Sequence, residues 1–289
     1  NKTTIEIMKE LLADPKNRIK LDDFVSENIK KFLVATDLRQ FPAEGLTPNS
    51  EEFLERMKRY EEAVRELQQI VILLVKWSES EQILLLEKVF ARLGEVDKSS
   101  GGYTLWINFR WYPLQILMYS AGIAALSGNK FNALRVSLTM PVPFKNGRHA
   151  LIVPVSASLS DVSDAWKWVP GHEQEYTPRS EHLYELLQAP LEELLFLGAS
   201  YENLFDEFEI YLALTFSEAT GREWAPIGRF GWKYHYRDGN NPFDLIVIDA
   251  KNQGAKWPPI QAGLFQGSSE EFIKLAEKFR ERLNKLSWF

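Results

Sequence analysis

Residues 50–77, SEEFLERMKRYEEAVRELQQIVILLVKW, decide the fold class. Phe53, Met57, Tyr60, Val64, Leu67, Ile70, Val71 and Leu74 recur at steps of three and four, the repeat of a single helix face. Ser50, followed by Glu51 and Glu52, reads as an N-cap with acids in the first turn, where they meet the positive end of the helix dipole. The spacing predicts one helix of about 25 residues ending near Trp77. Its early turns are heavily charged and its last, IVILLVKW, is apolar nearly all round, so an exposed end gives way to a buried one. The chain around it has 289 residues, 45% apolar and 26% charged, a mix that folds around a core rather than staying disordered.

Working outward, helical patterns are expected over Thr4–Leu12, Leu21–Thr36 and from Ser80 through Leu93, where Gly94 stops the last. DPKNR (14–18) and FPAEGLTPN (41–49) read as turn-rich connections. Pro113 to Met140 reads as a helical hairpin, broken at Gly128-Asn129 and resumed by Phe131, Leu134 and Leu138. Ser120, Ala121, Gly122, Ala124 and Ala125 are small enough to admit a second helix closely. The pair, with its turn GNKFNAL, resembles a tetratricopeptide hairpin, but no 34-residue echo exists elsewhere, so a repeat array is not expected.

Pro141, Pro143, Pro154, Pro170 and Pro178 exclude long helices between the two helical blocks. Here HALIVPVSAS (149–158) offers a short extended run, and DAWKWVPGHEQEYTPRS (164–180) an ordered loop with aromatic anchors. Helices resume at SEHLYELLQ, PLEELLFL and SYENLFDEFEIYLALTFSEA. In the last, Tyr201, Leu204, Phe205, Phe208, Leu212 and Phe216 form one stripe, with Glu202, Asp206 and Glu209 opposite. A final helix begins at Ser268 or Ser269 and buries Phe272, Leu275, Ala276, Phe279 and Leu283. The expectation is a mostly α, multi-helix bundle with helical hairpins, a Pro-rich irregular middle and at most a minor β element. It is read as one helical unit over residues 1–289, with sub-blocks 1–140 and 180–289 joined by 141–179.

Composition excludes much chemistry. With no Cys there is no disulfide, Cys-zinc site, iron–sulfur cluster or thiol nucleophile. No apolar run reaches the roughly 18–20 residues that span a bilayer, and the start, NKTTIEIMKELL, lacks the order of a secretion signal. A cytoplasmic protein without a membrane partner is the expectation. The first residue is Asn rather than Met, from which upstream sequence is expected. Residues 221–289 carry 11 basic and 8 acidic side chains against a chain total of 34 and 40, so any basic face belongs to the last quarter.

The four histidines, His149, His172, His182 and His235, are scattered, without an HExxH or an i, i+4 pair, so no metal site and no cofactor is expected. No G-x-S-x-G, P-loop or G-x-G-x-x-G is present. Glu192 with Glu193, and Asp206 with Glu207 and Glu209, read as solvated helix faces, which do not raise a carboxyl pKa as acid–base work requires. Asp249-Ala250-Lys251 follows the apolar run Leu245 to Ile248, with Asp238 upstream. It resembles the core of Mg-dependent nucleases of the PD-(D/E)xK type, which place the acid and the lysine on one face of a strand. Against this, Asn241-Pro242 reads equally as a helix cap with Pro in the first turn.

Gly221 to Arg237 interleaves Arg222, Arg229, Lys233 and Arg237 with Trp224, Phe230, Trp232, Tyr234 and Tyr236. Rings that stack on bases beside cations that meet phosphates are one way single strands are held. The other reading pins a long loop onto the helices through the same rings. Arg222, Trp224, Arg229, Phe230, Trp232, Lys233 and Arg237 are therefore the candidate binding residues, and no catalytic residue is assigned.

Four segments, WYPLQILMYSAGIAALSGNKFNAL, TPRSEHLYELLQAPLEELL, EWAPIGRFGWKY and KWPPIQAGLFQGS, together resemble a C-terminal helical region of uncharacterised bacterial multidomain proteins. There it follows a SIR2-like, Schlafen-like or other effector or ATP-binding module. The resemblance spans about residues 105–270 and carries no catalytic residue. It implies an accessory, interaction or ligand-sensing domain of an antiphage protein, partnered by another protein or by an upstream domain. Single-stranded nucleic-acid binding through 221–237 is the alternative expectation, and a Mg-dependent nuclease the third.

Overall fold

The Thr3 hydroxyl accepts the Glu6 N–H while the Glu6 carboxylate accepts the Thr3 N–H, a reciprocal cap that starts α1 (Thr4–Ala13). The computed structural model describes residues 2–96, 101–234 and 241–286. Next come α2 (Arg18–Ala35) and α3 (Ser50–Lys76). The cap of α3 is Asn49, one residue before the expected Ser50, and its side chain accepts the Glu52 N–H at 2.9 Å. The stripe Phe53 to Leu74 is buried as the spacing predicts. Glu79 and Gln82 cap α4 (Ser80–Leu93) reciprocally.

α5 (Thr104–Phe109) is short and unforeseen; it buries Trp106 and Phe109 beside α6 (Tyr112–Ser127), from which α7 (Phe131–Thr139) returns. Every residue of α6 from Tyr112 to Leu126 is buried, so this helix is the axle of the bundle. Polar contacts also tie it to α3: Gln68 donates to the Ser120 hydroxyl at 3.0 Å, that hydroxyl donates to the Ile116 carbonyl, and the Tyr112 hydroxyl donates to Glu61 at 2.7 Å. Gly122 is small because it must be. A Cβ there would lie 2.0 Å from the Phe208 ring of α10 (Tyr201–Thr220).

The Pro-rich middle holds one hairpin, β1 (Pro141–Phe144) antiparallel to β2 (Gly147–Ala150), with Val142 opposite His149. Of the expected extended run HALIVPVSAS only the start is strand. Residues from Ile152 onward form α8 (Ile152–Ser160). Pro154 sits in its first turn, where a missing N–H costs no helical bond. The expected helices SEHLYELLQ and PLEELLFL are a single one, α9 (Pro178–Leu195), running through Pro190. Leu183, Leu187, Leu191 and Leu194 keep one buried face across the proline and hold the two halves in line.

Beyond α10 lie α11 (Arg229–Tyr234), α12 (Pro242–Gln253), α13 (Pro258–Gln261) and α14 (Ser269–Lys285). The last is capped by Ser268. The described residues therefore form fourteen helices and one two-stranded hairpin, with short 3-10 turns between. One cluster of buried side chains runs from Met8 in α1 to Leu283 in α14. None of these helices is long and apolar enough to cross a membrane.

Asn241 caps α12 by accepting the Asp244 N–H at 2.8 Å, so Asp249 and Lys251 are helical. Two positions on a helix lie about 200° apart, not on one face. The strand on which the nuclease resemblance depends is a helix here, and Asp238 lies outside the described residues.

Candidate functional site

The candidate binding residues do not form one face. Arg222 and Trp224 are exposed, Trp224 meeting the Phe216 ring edge-on. Arg229, Phe230 and Lys233 are buried in α11. The Arg229 guanidinium lies 3.6 Å from the centre of the Tyr184 ring and within 3.1 Å of Glu181 and 3.6 Å of Glu202. Lys233 donates to Glu202 at 2.7 Å and to Asp206. Trp232 donates its indole N–H to Glu181 at 3.1 Å, and Phe230 packs on Phe279. Arg237 lies outside the described residues. These cations spend their charge on α9 and α10 inside the fold, in keeping with the reading that pins the loop onto the helices, and Arg229 and Lys233 do not face phosphates.

The expectation of a solvated acid face on α10 is corrected. Asp206 and Glu209 are each 1% exposed. Residues 202, 206 and 209 form an acidic stripe at helical spacing, and 229 and 233 a basic pair at the same spacing. That complementarity was the available signal, and it turns the acids inward against α11.

Glu209 opens the more informative feature. Its Oε1 accepts the Ser180 hydroxyl at 2.6 Å and the Tyr119 hydroxyl at 3.1 Å, and Ser180 in turn accepts the Arg229 N–H at 2.9 Å. Gly228 makes room for this: a Cβ there would lie 2.1 Å from Glu209 Oε1. Burial pushes the Glu209 carboxyl up to about 7, against the opposing pull of Ser180.

Beside it lies a partly open cavity of about 160 Å³ between α6, α8, α9 and α10, lined also by Trp166, Tyr176 and Ile227. Five buried polar atoms on its lining have no hydrogen-bond partner: Gln115 Oε1, Glu209 Oε2, Trp166 Nε1, Thr177 Oγ1 and Arg179 Nη1. Three of these side chains, Gln115, Glu209 and Trp166, are at least nine-tenths buried. Native interiors pair the large majority of such atoms. Burial lowers the pKa of Arg179, and the nearby Tyr119 and Glu209 oppose that shift. Sequence reasoning missed this site, because its residues come from four separate segments and no motif joins them.

His182 lies against the Trp166 ring, with His172 beside it. His182 Nε2 lies 2.7 Å from Glu61 Oε1, which also accepts the Tyr112 hydroxyl, and His172 Nδ1 lies 2.6 Å from Glu175. Among the described residues no three His, Asp or Glu side chains cluster as metal ligands. On the far side, α1, α2 and α4 leave a groove of about 1130 Å³ edged by Ile19, Trp77 and Leu84, each more than half exposed. The chain matches no family model, no curated protein and no solved structure.

Proposed function

We propose that this chain is a non-enzymatic helical module that senses a small polar molecule in the chamber at Glu209. What supports the reading is the set of five unpaired polar atoms around one cavity. Leaving a buried donor or acceptor unmade costs about 1–3 kcal/mol each, and several such atoms around one space can be satisfied together by water or by a polar guest. Ser180, the hydroxyl nearest a carboxylate, is held as donor to Glu209 and acceptor from Arg229, which suits a wall better than a nucleophile. In the setting that the resemblance implies, an accessory part of a bacterial antiphage effector, occupancy of the chamber would be reported to that effector. The groove between α1, α2 and α4 offers a protein partner an apolar surface of the kind an amphipathic helix covers.

The test is recovery of a guest. The chain is dialysed against a mixture of polar metabolites, and bound material is released by heat and identified by mass spectrometry. A small molecule is expected from the wild type and not from Ser156→Leu, which fills the chamber from α8. Equal recovery from both, or none from either, removes the reading.

A further inference from the structure

The unpaired atoms of the chamber are of both kinds. Arg179 Nη1 and Trp166 Nε1 are donors, and the Thr177 hydroxyl can donate. Thr177 and Arg179 open α9, an 18-residue helix whose N-cap side chain makes no capping bond. The first N–H groups of a helix lack acceptors within it, and its N-terminus carries a partial positive charge. A guanidinium, an indole N–H, a hydroxyl and a helix N-terminus together describe a seat for an anion.

The remaining two are acceptors, Glu209 Oε2 from α10 and Gln115 Oε1 from α6. Tyr119 and Ser180 already occupy Glu209 Oε1, so only the second oxygen is left for a guest. Arg179 and Glu209 both line the cavity and come from different helices, α9 and α10. Above pH 7, where Glu209 is ionised, a second anionic group on the guest would meet a like charge and be repelled. The lining also includes the rings of Tyr119, Trp166 and Tyr176 with Leu212 and Ile227, which fit a short apolar body.

Size narrows the class further. The cavity measures about 160 Å³, and a cavity of roughly 150 Å³ is known to hold benzene. That admits a guest of about six to nine non-hydrogen atoms. Resting on the sensing role proposed above, we infer that the chamber binds a small zwitterion of α-amino-acid type, its carboxylate at the start of α9 and its ammonium at Glu209 and Gln115.

Titration calorimetry and thermal shift with alanine, serine, propionate and isopropylamine test this directly. Propionate lacks the ammonium of alanine, and isopropylamine lacks its carboxylate. Alanine or serine is expected to bind saturably and to raise Tm, with propionate and isopropylamine each at least tenfold weaker. Arg179→Gln and Glu209→Gln, checked for native circular dichroism, are each expected to weaken the zwitterion at least tenfold. Thr177→Val supplies the same test at a position whose hydroxyl makes no bond in the fold. Propionate binding as tightly as alanine, or a guest without an ammonium recovered from the metabolite mixture, overturns the zwitterion while leaving a sensing chamber. No binding by any compound, with only water in the chamber of a crystal structure, overturns both.

Discussion

A carboxylate as deeply buried as Asp206 has lost its water and takes the Lys233 ammonium in exchange. Removing the cation strands the acid, which typically costs about 3–5 kcal/mol, whereas removing both charges together costs far less. Lys233→Met is accordingly expected to lower unfolding stability by about 3 kcal/mol. Asp206→Asn added to it should recover more than about 1 kcal/mol, the mark of direct coupling in a double-mutant cycle read by urea titration. Simple additivity would show that the two side chains act independently. At this scale the sequence is least legible. Arg229 and Lys233 read as ligands for phosphate because a string of residues cannot say which acids stand opposite, and Asp206 lies 27 positions away from its lysine. Arg179 drew no notice for the same reason: its importance is the partner it lacks.

Elements were far easier to read than residues, because helix faces are local. The repeat over Phe53 to Leu74 gives α3, the break at Gly128-Asn129 gives the α6–α7 turn, and the small residues of α6 give the close approach of α10. Failures fall where a proline was taken as a stop. Pro154 lies in a first turn and Pro190 is carried through by a continuous leucine face, so both helices are longer than the prolines suggest. The α6–α10 contact gives a sharp test of what holds the bundle. Gly122→Ala would gain about 1 kcal/mol of helix propensity in an exposed helix. Here the new Cβ meets the Phe208 ring at 2.0 Å, and overpacking costs about 1–3 kcal/mol. The net expectation is destabilisation by about 1 kcal/mol, relieved when Phe208→Leu is combined with it. A Gly122→Ala variant more stable than the wild type would mean that the two helices separate easily.

For the molecule as a whole, charge and burial together set how stability varies with pH. The chain carries a net −6 at pH 7, and two of its carboxyls, Glu207 and Glu209, are pushed up to about 7, each chiefly by burial. Glu209 is faced by Tyr119 from α6, Ser180 and Arg179 from α9, Arg229 from α11 and Asp206 on its own helix, and Glu207 by Asp249 from α12. In the unfolded chain both would titrate near 4.5. Between those values the folded state holds protons that the unfolded state has released, so stability falls as pH rises from about 4.5 through 7. A shift of that size corresponds to at most about 3 kcal/mol for each group. Exposed Glu6 and half-buried Asp37 are shifted the other way by their hydrogen bonds, so acid below pH 4 weakens the fold again. The stability maximum is therefore expected near pH 5, with a loss of about 2 kcal/mol or more on moving to pH 8, measured by urea unfolding. Glu209→Gln keeps the shape and cannot ionise, so its slope over the same interval should be visibly shallower than that of the wild type. Equal slopes would mean that Glu209 meets water in the folded state, and its second oxygen would then be satisfied by solvent rather than kept for a guest.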